Sequence, residues 1–185
     1  MKKRLWLVMA AAVLIAAGLF YAFHEREMDR KSAELAEIKN HVAAAAVSSM
    51  MSNAAFLDSF LPEASNPSSA KMKLDDRFLA CFVAFSNLGQ LSLQMETIDE
   101  SDHEAWREIR LGFEKASKLM AGLERSEMDR EIYLARINEF ATVFLDGMTH
   151  MNRNTSTIPH HELNKIREAA IQFNAESFWE ILSKT

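Results

Sequence analysis

Residues 5–23 read LWLVMAAAVLIAAGLFYAF, a run of 19 residues without a charged or strongly polar side chain. At about 1.5 Å rise per residue, a helix of this length spans roughly 28 Å, close to the ~30 Å hydrocarbon core of a bilayer. A helix satisfies its own backbone hydrogen bonds, so it can enter lipid without unpaired N–H and C=O groups. Trp6 near the start, and Phe20, Tyr21 and Phe23 near the end, lie where aromatic side chains meet headgroups. The segment Leu5–Phe23 therefore predicts a transmembrane helix.

The charges that flank this segment predict its orientation. Lys2, Lys3 and Arg4 precede it, whereas residues 24–31 mix three acidic with three basic residues. Because positively charged flanks stay in the cytoplasm, we expect residues 1–4 to be cytoplasmic and residues 24–185 to form an extracytoplasmic domain. No second apolar span follows, which predicts a single-pass protein of the cell membrane, bound to the lipid bilayer through Leu5–Phe23.

A cleaved signal peptide is the alternative. A basic start and an apolar core also fit one, and Ala16, Ala17 and Gly18 are the small residues that a signal peptidase needs. Cleavage after Gly18 would leave the apolar stub Leu19–Phe23, and the run is longer than the usual core of about 7–15 residues. We therefore favour an uncleaved signal anchor. In both interpretations the rest of the chain is exported.

The composition of residues 24–185 argues against several functional classes. They hold 18 basic and 26 acidic residues, a net charge of −8, whereas nucleic-acid binding needs clustered Lys and Arg. No nucleic-acid partner is expected. Cys81 is the single cysteine, so no intramolecular disulfide can form. Its apolar neighbours Phe82 and Phe85 indicate a buried small side chain, and a reactive or intermolecular thiol is the alternative.

The same residues predict an all-α fold. With five Gly and three Pro in the whole chain, helix-breaking residues are few, and apolar residues recur at helical spacing in five segments. Short connections favour antiparallel neighbours, so we expect an up-and-down bundle of four to five helices, the first fused to the membrane helix. The stripes are Leu35, Ile38, Val42, Ala46, Met50, Leu57 and Leu61; Leu74, Phe78, Cys81, Phe85, Leu88, Ser92 and Met95; Trp106, Ile109, Phe113, Ala116, Met120 and Leu123; Tyr133, Ile137, Phe140, Phe144 and Met148; and Leu163, Ile166, Ala170, Phe173 and Ile181.

Local signals predict where these helices begin and end. Pro62 and the polar loop after it end the first helix. Ser101 followed by Glu104 matches a capping box and predicts a helix start there. Pro159 is expected in the first turn of the last helix, where its missing N–H does no harm.

The apolar faces are expected to serve mainly as internal packing. Leu79, Phe82, Val83 and Leu91 widen the face of the second segment, which predicts a helix buried on more than one side. Four aromatic residues lie partly off the stripes and are candidates for a partner-facing surface or a second packing layer: Phe56, Phe60, Phe178 and Trp179.

Metal-binding patterns are weak. Glu100 and His103 have the Glu-x-x-His spacing of di-iron bundles, but such a site needs two pairs, so we expect solvated turn residues. Glu37 and His41, one turn apart, predict a surface pair.

A second candidate metal site is the cluster of Met148, His150 and Met151, which would suit Cu(I), with His160 and His161 a short loop away. We expect instead that Met148 packs in the core and that the histidines are exposed near helix ends. No metal, cofactor or catalytic residue is predicted.

The expected function is therefore non-enzymatic, because the sequence contains neither a nucleophile elbow nor a Gly-rich phosphate loop. A membrane-tethered module that binds a partner protein or a small ligand, as a sensor or adaptor, fits best, and a homo-oligomer is possible. In architecture the chain resembles the extracytoplasmic four-helix sensor modules of bacterial chemoreceptors, although those end in a second membrane helix and a signalling domain. The alternatives are a structural subunit or assembly factor of a cell-envelope complex, and a metal-binding bundle.

Overall fold

The chain folds into α-helices. The computed structural model describes residues 2–64, 74–123, 130–150 and 158–176, and within these ranges it leaves out the side chains of residues 2–13, 16, 60–64, 74–78, 122–123 and 130–132. The helices are α1 (Lys2–Ala64), α2 (Leu74–Ile98), α3 (His103–Leu123), α4 (Arg130–Thr149) and α5 (His160–Ala175). The described ranges contain no strand, so the predicted all-α class is confirmed.

The chain divides into two compact units, Met1–His41 and Val42–Thr185. In the first unit, the described apolar side chains of α1 are exposed to solvent, including Leu14 at 73% and Phe20 at 74%. Among the residues that the structure describes, no helix combines the length and the apolar character that crossing a membrane requires. The segment Leu5–Phe23 lies only partly within that description, because the side chains of residues 5–13 and 16 are outside it.

The second unit is a helical bundle in which α2 and α3 run antiparallel. Near the connection of α2 and α3, Arg110 Nε donates a 2.7 Å hydrogen bond to Glu96 Oε2. Farther from that connection, Gly89 faces Phe113. Going back along α2 from Glu96 to Gly89, the contacting residue on α3 moves forward from Arg110 to Phe113. The two helices therefore run in opposite directions, as the short connection predicted.

The helices α4 and α5 are also antiparallel. Arg136 at the start of α4 lies 3.7 Å from Glu176, just past the end of α5, and Gly147 near the end of α4 lies against Ile166 of α5. By contrast α3 and α5 run in the same direction, because their first turns are joined through Asp102 and His160 and their later turns through Lys115 and Phe173.

Phe113 lies at the centre of the core. Its ring centroid is 4.8 Å from that of Phe144 in an edge-to-face arrangement, 5.2 Å from that of Phe140 and 6.3 Å from that of Phe85. Phe140 in turn stacks on Phe173 at 5.1 Å. These rings join α2, α3, α4 and α5, and aromatic pairs in such geometries add about 0.5–1.5 kcal/mol each beyond the area they bury.

The α2 stripe is buried at each position whose side chain the structure describes. The prediction of internal packing is wrong for the first part of the α1 stripe, and the predicted burial of α2 on more than one side is wrong at Leu79 and Val83. On α1, Leu35, Ile38 and Val42 are exposed at 55%, 58% and 40%, and burial begins only at Ala46. On α2, Leu79 and Val83 are exposed at 56% and 46%, so α2 is not buried on more than one side there. Helical spacing shows which residues share a face, but not whether a neighbouring helix covers that face.

The boundary predictions hold to within a few residues. The helix α1 ends at Ala64, two residues past Pro62, because a proline in the last turn removes only one backbone hydrogen bond. Pro159 stands at the N-cap of α5 rather than in its first turn, and its carbonyl accepts the N–H groups of Glu162 and Leu163 at 2.9 and 3.0 Å.

The turn between α2 and α3 is organised by Asp99. Its carboxylate accepts hydrogen bonds from the Ser101 hydroxyl at 2.7 Å and from Trp106 Nε1 at 3.1 Å. The helix α3 begins at His103, close to the start that the pair Ser101 and Glu104 predicted. The Ser101 hydroxyl, however, donates to the Asp99 carboxylate. The side chain that stabilises this turn is therefore Asp99, which precedes both residues of the predicted capping box.

Lys115 fastens the end of α5 to α3. Its ammonium donates to three backbone carbonyls at the C-terminus of α5, those of Phe173 (2.6 Å), Asn174 (2.9 Å) and Glu176 (2.7 Å). The last carbonyls of a helix have no partner within the helix, and the negative end of the helix dipole favours a cation. Partial burial of this ammonium lowers the pKa of Lys115.

Candidate functional site

An apolar groove lies between α1 and α2 within the second unit. It has a volume of about 420 Å³. Two of its residues come from α1 and five from α2, and none of them is charged; they are Asn53, Phe56, Leu79, Ala80, Val83, Ala84 and Asn87. We call this surface the α1–α2 groove.

Large apolar side chains of this groove remain in contact with solvent. Phe56 is exposed at 37%, and Leu79 and Val83, one helical turn apart, at 56% and 46%. At the other end of the groove, Asn87 Nδ2 donates a 3.3 Å hydrogen bond to Asn53 Oδ1. The groove thus offers apolar contacts next to one pair of amides, which suits an uncharged, largely apolar occupant.

Polar side chains converge at one end of the bundle, where α2 and α4 end and α3 and α5 begin. Four of the six histidines of the chain are here, together with several acidic residues. We call this the polar end and define it by Asp99, Asp102, His103, Asp146, His150, His160, His161 and Glu162. Each lies in the last turn of one helix, in the first turn of the next or in an adjacent connection.

An ion pair at the polar end joins α5 to the start of α3. His160 Nδ1 lies 2.9 Å from Asp102 Oδ1, with the histidine side chain 70% exposed and the aspartate 18% exposed. The Asp102 carbonyl accepts the N–H of Trp106 at 3.0 Å, so Asp102 stands directly before α3 and accepts a hydrogen bond from its first turn.

A second group of polar side chains joins α4 to α5. One ligand-type atom each from Asp146, His150 and Glu162 lies within 4.8 Å of the others. Glu162 is 4% exposed, and its carboxylate accepts hydrogen bonds from Lys165 Nζ at 2.9 and 3.2 Å. Its Oε1 also lies 3.1 Å from His161 Nε2.

The electrostatic environment keeps Glu162 ionised. The hydrogen bond from Lys165 is the main cause that lowers the pKa of the Glu162 carboxyl, and the charges of Lys165, His150 and His161 act in the same direction against the opposing effect of burial. An ionised carboxylate beside imidazole nitrogens is an arrangement that can hold a cation.

Several sequence predictions about polar residues agree with the structure. Glu37 and His41 form an exposed pair at 3.8 Å, and Glu100 and His103 are exposed at the turn before α3. Cys81 is fully buried, and burial raises the pKa of its thiol to about 11. A thiol of that pKa is almost entirely protonated near neutral pH, which disfavours the alternative of a reactive cysteine.

For Met148 and His150, the structure agrees with the expectation of a core methionine and an exposed histidine. Met148 is buried at 4% exposure, whereas His150 is exposed; Met151 is outside the described residues. His160 and His161 are also exposed. Among the described side chains, the carboxylates of Asp146 and Glu162 lie close to the His150 ring.

Two surfaces were not predicted as units. The groove residues Leu79 and Val83 were predicted to widen the buried face of the second segment, because spacing separates them from the stripe but does not show whether another helix covers them. The cluster around His150 had one sequence signal, because Asp146 precedes it by four residues and so shares its face. Of the four aromatic candidates for a partner surface, Phe56 is in the groove, whereas the other three are outside the described side chains: Phe60, Phe178 and Trp179.

Comparison of the chain with protein-family models, with curated proteins and with solved structures gave no match.

Proposed function

We propose that the protein is a non-enzymatic, membrane-anchored helical module that binds a partner protein through the α1–α2 groove. The observation that carries this proposal is the exposure of Phe56, Leu79 and Val83 beside one another in a groove without charged residues. Apolar grooves that carry a few convergent polar groups are typical of binding sites.

The groove fits a helix of the partner. Two neighbouring helices form its walls, and a third helix that lies in such a groove contributes apolar side chains at intervals of three and four residues. Leu79 and Val83 have the matching spacing on α2, and the amides of Asn53 and Asn87 can bond a polar group of the incoming helix. A second copy of the chain is one possible source of that helix.

The membrane anchor and the extracytoplasmic location remain part of this proposal. They are supported by the length and apolar composition of Leu5–Phe23 and by the basic residues Lys2, Lys3 and Arg4 before it. Fixing the module to a membrane raises the local concentration of a partner in the same envelope. A structural subunit or assembly factor of an envelope complex would use the same groove.

The test compares two substitutions that place a carboxylate on exposed apolar positions. Val83→Asp puts a charge into the groove, whereas Ile171→Asp puts one on α5, where the side chain is 40% exposed and does not line the groove. Both variants are purified from detergent-solubilised membranes after mild crosslinking. We expect Val83→Asp to lose the co-purifying polypeptide and Ile171→Asp to retain it.

The proposed docking site is wrong if both variants retain the same partner, or if both lose it while their melting curves match that of the unchanged protein. A retained band that consists of the chain itself identifies the partner as a second copy.

A further inference from the structure

We propose that Asp146, His150 and Glu162 form a binding site for a divalent transition-metal ion of the Zn²⁺ type, with the fourth position taken by water. The site lies at the polar end, apart from the α1–α2 groove, and it does not depend on the proposed function.

The backbone brings the ligands together. Asp146 is in the last turn of α4, His150 directly follows that helix, and Glu162 is in the first turn of the antiparallel helix α5. A Cβ atom on Gly147 would lie 2.6 Å from Ile166 Cδ1, so the glycine between Asp146 and His150 permits the close approach of α5. This packing fixes the spacing of the two helices at the site.

The ligand atoms are near the separation that a metal ion needs. The atoms from Asp146, His150 and Glu162 lie within 4.8 Å of one another, whereas bonds of about 2.1 Å in a tetrahedral site separate ligand atoms by about 3.4 Å. Asp146 and His150 are exposed, so small side-chain rotations can close this difference without moving the helices.

His150 is held in the tautomer of a metal ligand. Its Nδ1 lies 2.9 Å from the backbone carbonyl oxygen of Asp146. A carbonyl only accepts hydrogen bonds, so Nδ1 carries the proton and Nε2 of the neutral ring keeps a lone pair. Metal-binding histidines usually donate their other N–H to a backbone carbonyl or a carboxylate in this manner.

The charges also suit a cation. Glu162 Oε1 lies 2.9 Å from Lys165 Nζ and 3.1 Å from His161 Nε2. The Lys165 side chain is 59% exposed, so it can turn into solvent when a metal ion takes its place. An imidazole nitrogen beside two carboxylates favours first-row transition metals such as Zn²⁺, whereas Mg²⁺ prefers oxygen ligands alone.

Titration of the full chain in detergent with Zn²⁺ alone tests the site. We expect one ion to bind per chain, and Mg²⁺ at the same concentrations not to compete. His150→Ala and Asp146→Asn should each weaken the Zn²⁺ affinity at least about tenfold. The matched control is His160→Ala, because His160 is an exposed histidine of the same end that pairs with Asp102; its affinity should equal that of the unchanged chain.

The site is refuted if no saturable binding of one Zn²⁺ is found, or if His150→Ala and His160→Ala bind Zn²⁺ equally well. His150 and Asp146 are exposed, so their variants should melt like the unchanged apo protein. Glu162 is buried, and Glu162→Gln is therefore interpreted only if its melting curve shows a folded protein; His150→Ala decides the question in either case.

Discussion

Replacing Lys115 by methionine tests how the last helix is held to the bundle. Lys115 Nζ donates to three carbonyls at the end of α5, at 2.6, 2.7 and 2.9 Å, and it lies 5.3 Å from the centroid of the Phe173 ring. Methionine keeps most of the side-chain volume but has no donor. The three carbonyls would then lose their charged partner at once.

The expected loss of stability is about 3 kcal/mol. A hydrogen bond to a charged group contributes about 1.5–3 kcal/mol net, but the three bonds share one ammonium, and water can reach this half-buried end after the change. Burial of the ammonium, which lowers the pKa of Lys115, also costs free energy in the unchanged protein. This cost reduces the net contribution of the three hydrogen bonds to stability. One to two such bonds therefore represent the net loss, and for a chain of this size they lower the melting temperature by about 6–12 °C.

Thermal and urea unfolding followed by circular dichroism measure this effect. Lys118→Met is the matched control, because Lys118 lies one turn later on α3 and is exposed. Substitutions of exposed residues usually change stability by less than about 0.5 kcal/mol. If the two variants differ by less than that amount, Lys115 does not hold α5 and the reasoning fails.

Three further predictions concern single positions. Gly147→Ala should destabilise the protein by about 1–3 kcal/mol through overpacking, because the added Cβ would lie 2.6 Å from Ile166 Cδ1; adding Ile166→Val should restore part of the loss in the same urea titration. Ser92→Ala should leave the urea midpoint unchanged or raise stability by up to about 1 kcal/mol, because the buried Ser92 Oγ has no hydrogen-bond partner in the described part of the chain, and a clear loss would show that it has one. The lowered pKa of Glu162 contributes stability that is present above its ordinary value of 4.5 and is lost as the pH falls through the folded-state pKa. Glu162→Gln should therefore narrow the difference in urea midpoint between pH 7 and pH 3, and an unchanged difference contradicts this assignment.

The helical fold follows from patterns that the sequence displays. Trp106, Ile109 and Phe113 recur at the helical period and are buried in α3 as that period predicts. Such a pattern is local, since each helix satisfies its own backbone and needs only one apolar face. The same reasoning placed Leu163 and Phe173 of α5 in the core, where both are found.

The candidate sites depend on which faces meet, and spacing does not contain that information. Leu79 and Cys81 are two residues apart in an apolar segment, yet Leu79 is 56% exposed and Cys81 is fully buried. The four-residue spacing of Asp146 and His150 predicts that they share a face. Glu162 belongs to a different helix, α5, so no spacing in the sequence relates it to them. Only the packing of α4 against α5, set at Gly147, brings that carboxylate to them.

The central claim is that the α1–α2 groove receives a partner, and a photo-reactive side chain in the groove tests it most directly. A benzophenone amino acid is placed at position 83 of the full chain expressed in cells, and at position 118, an exposed site on α3, as the control. The account predicts a discrete, light-dependent adduct with a second polypeptide from position 83 and none from position 118. The absence of an adduct at position 83, or the same adduct from both positions, would contradict it.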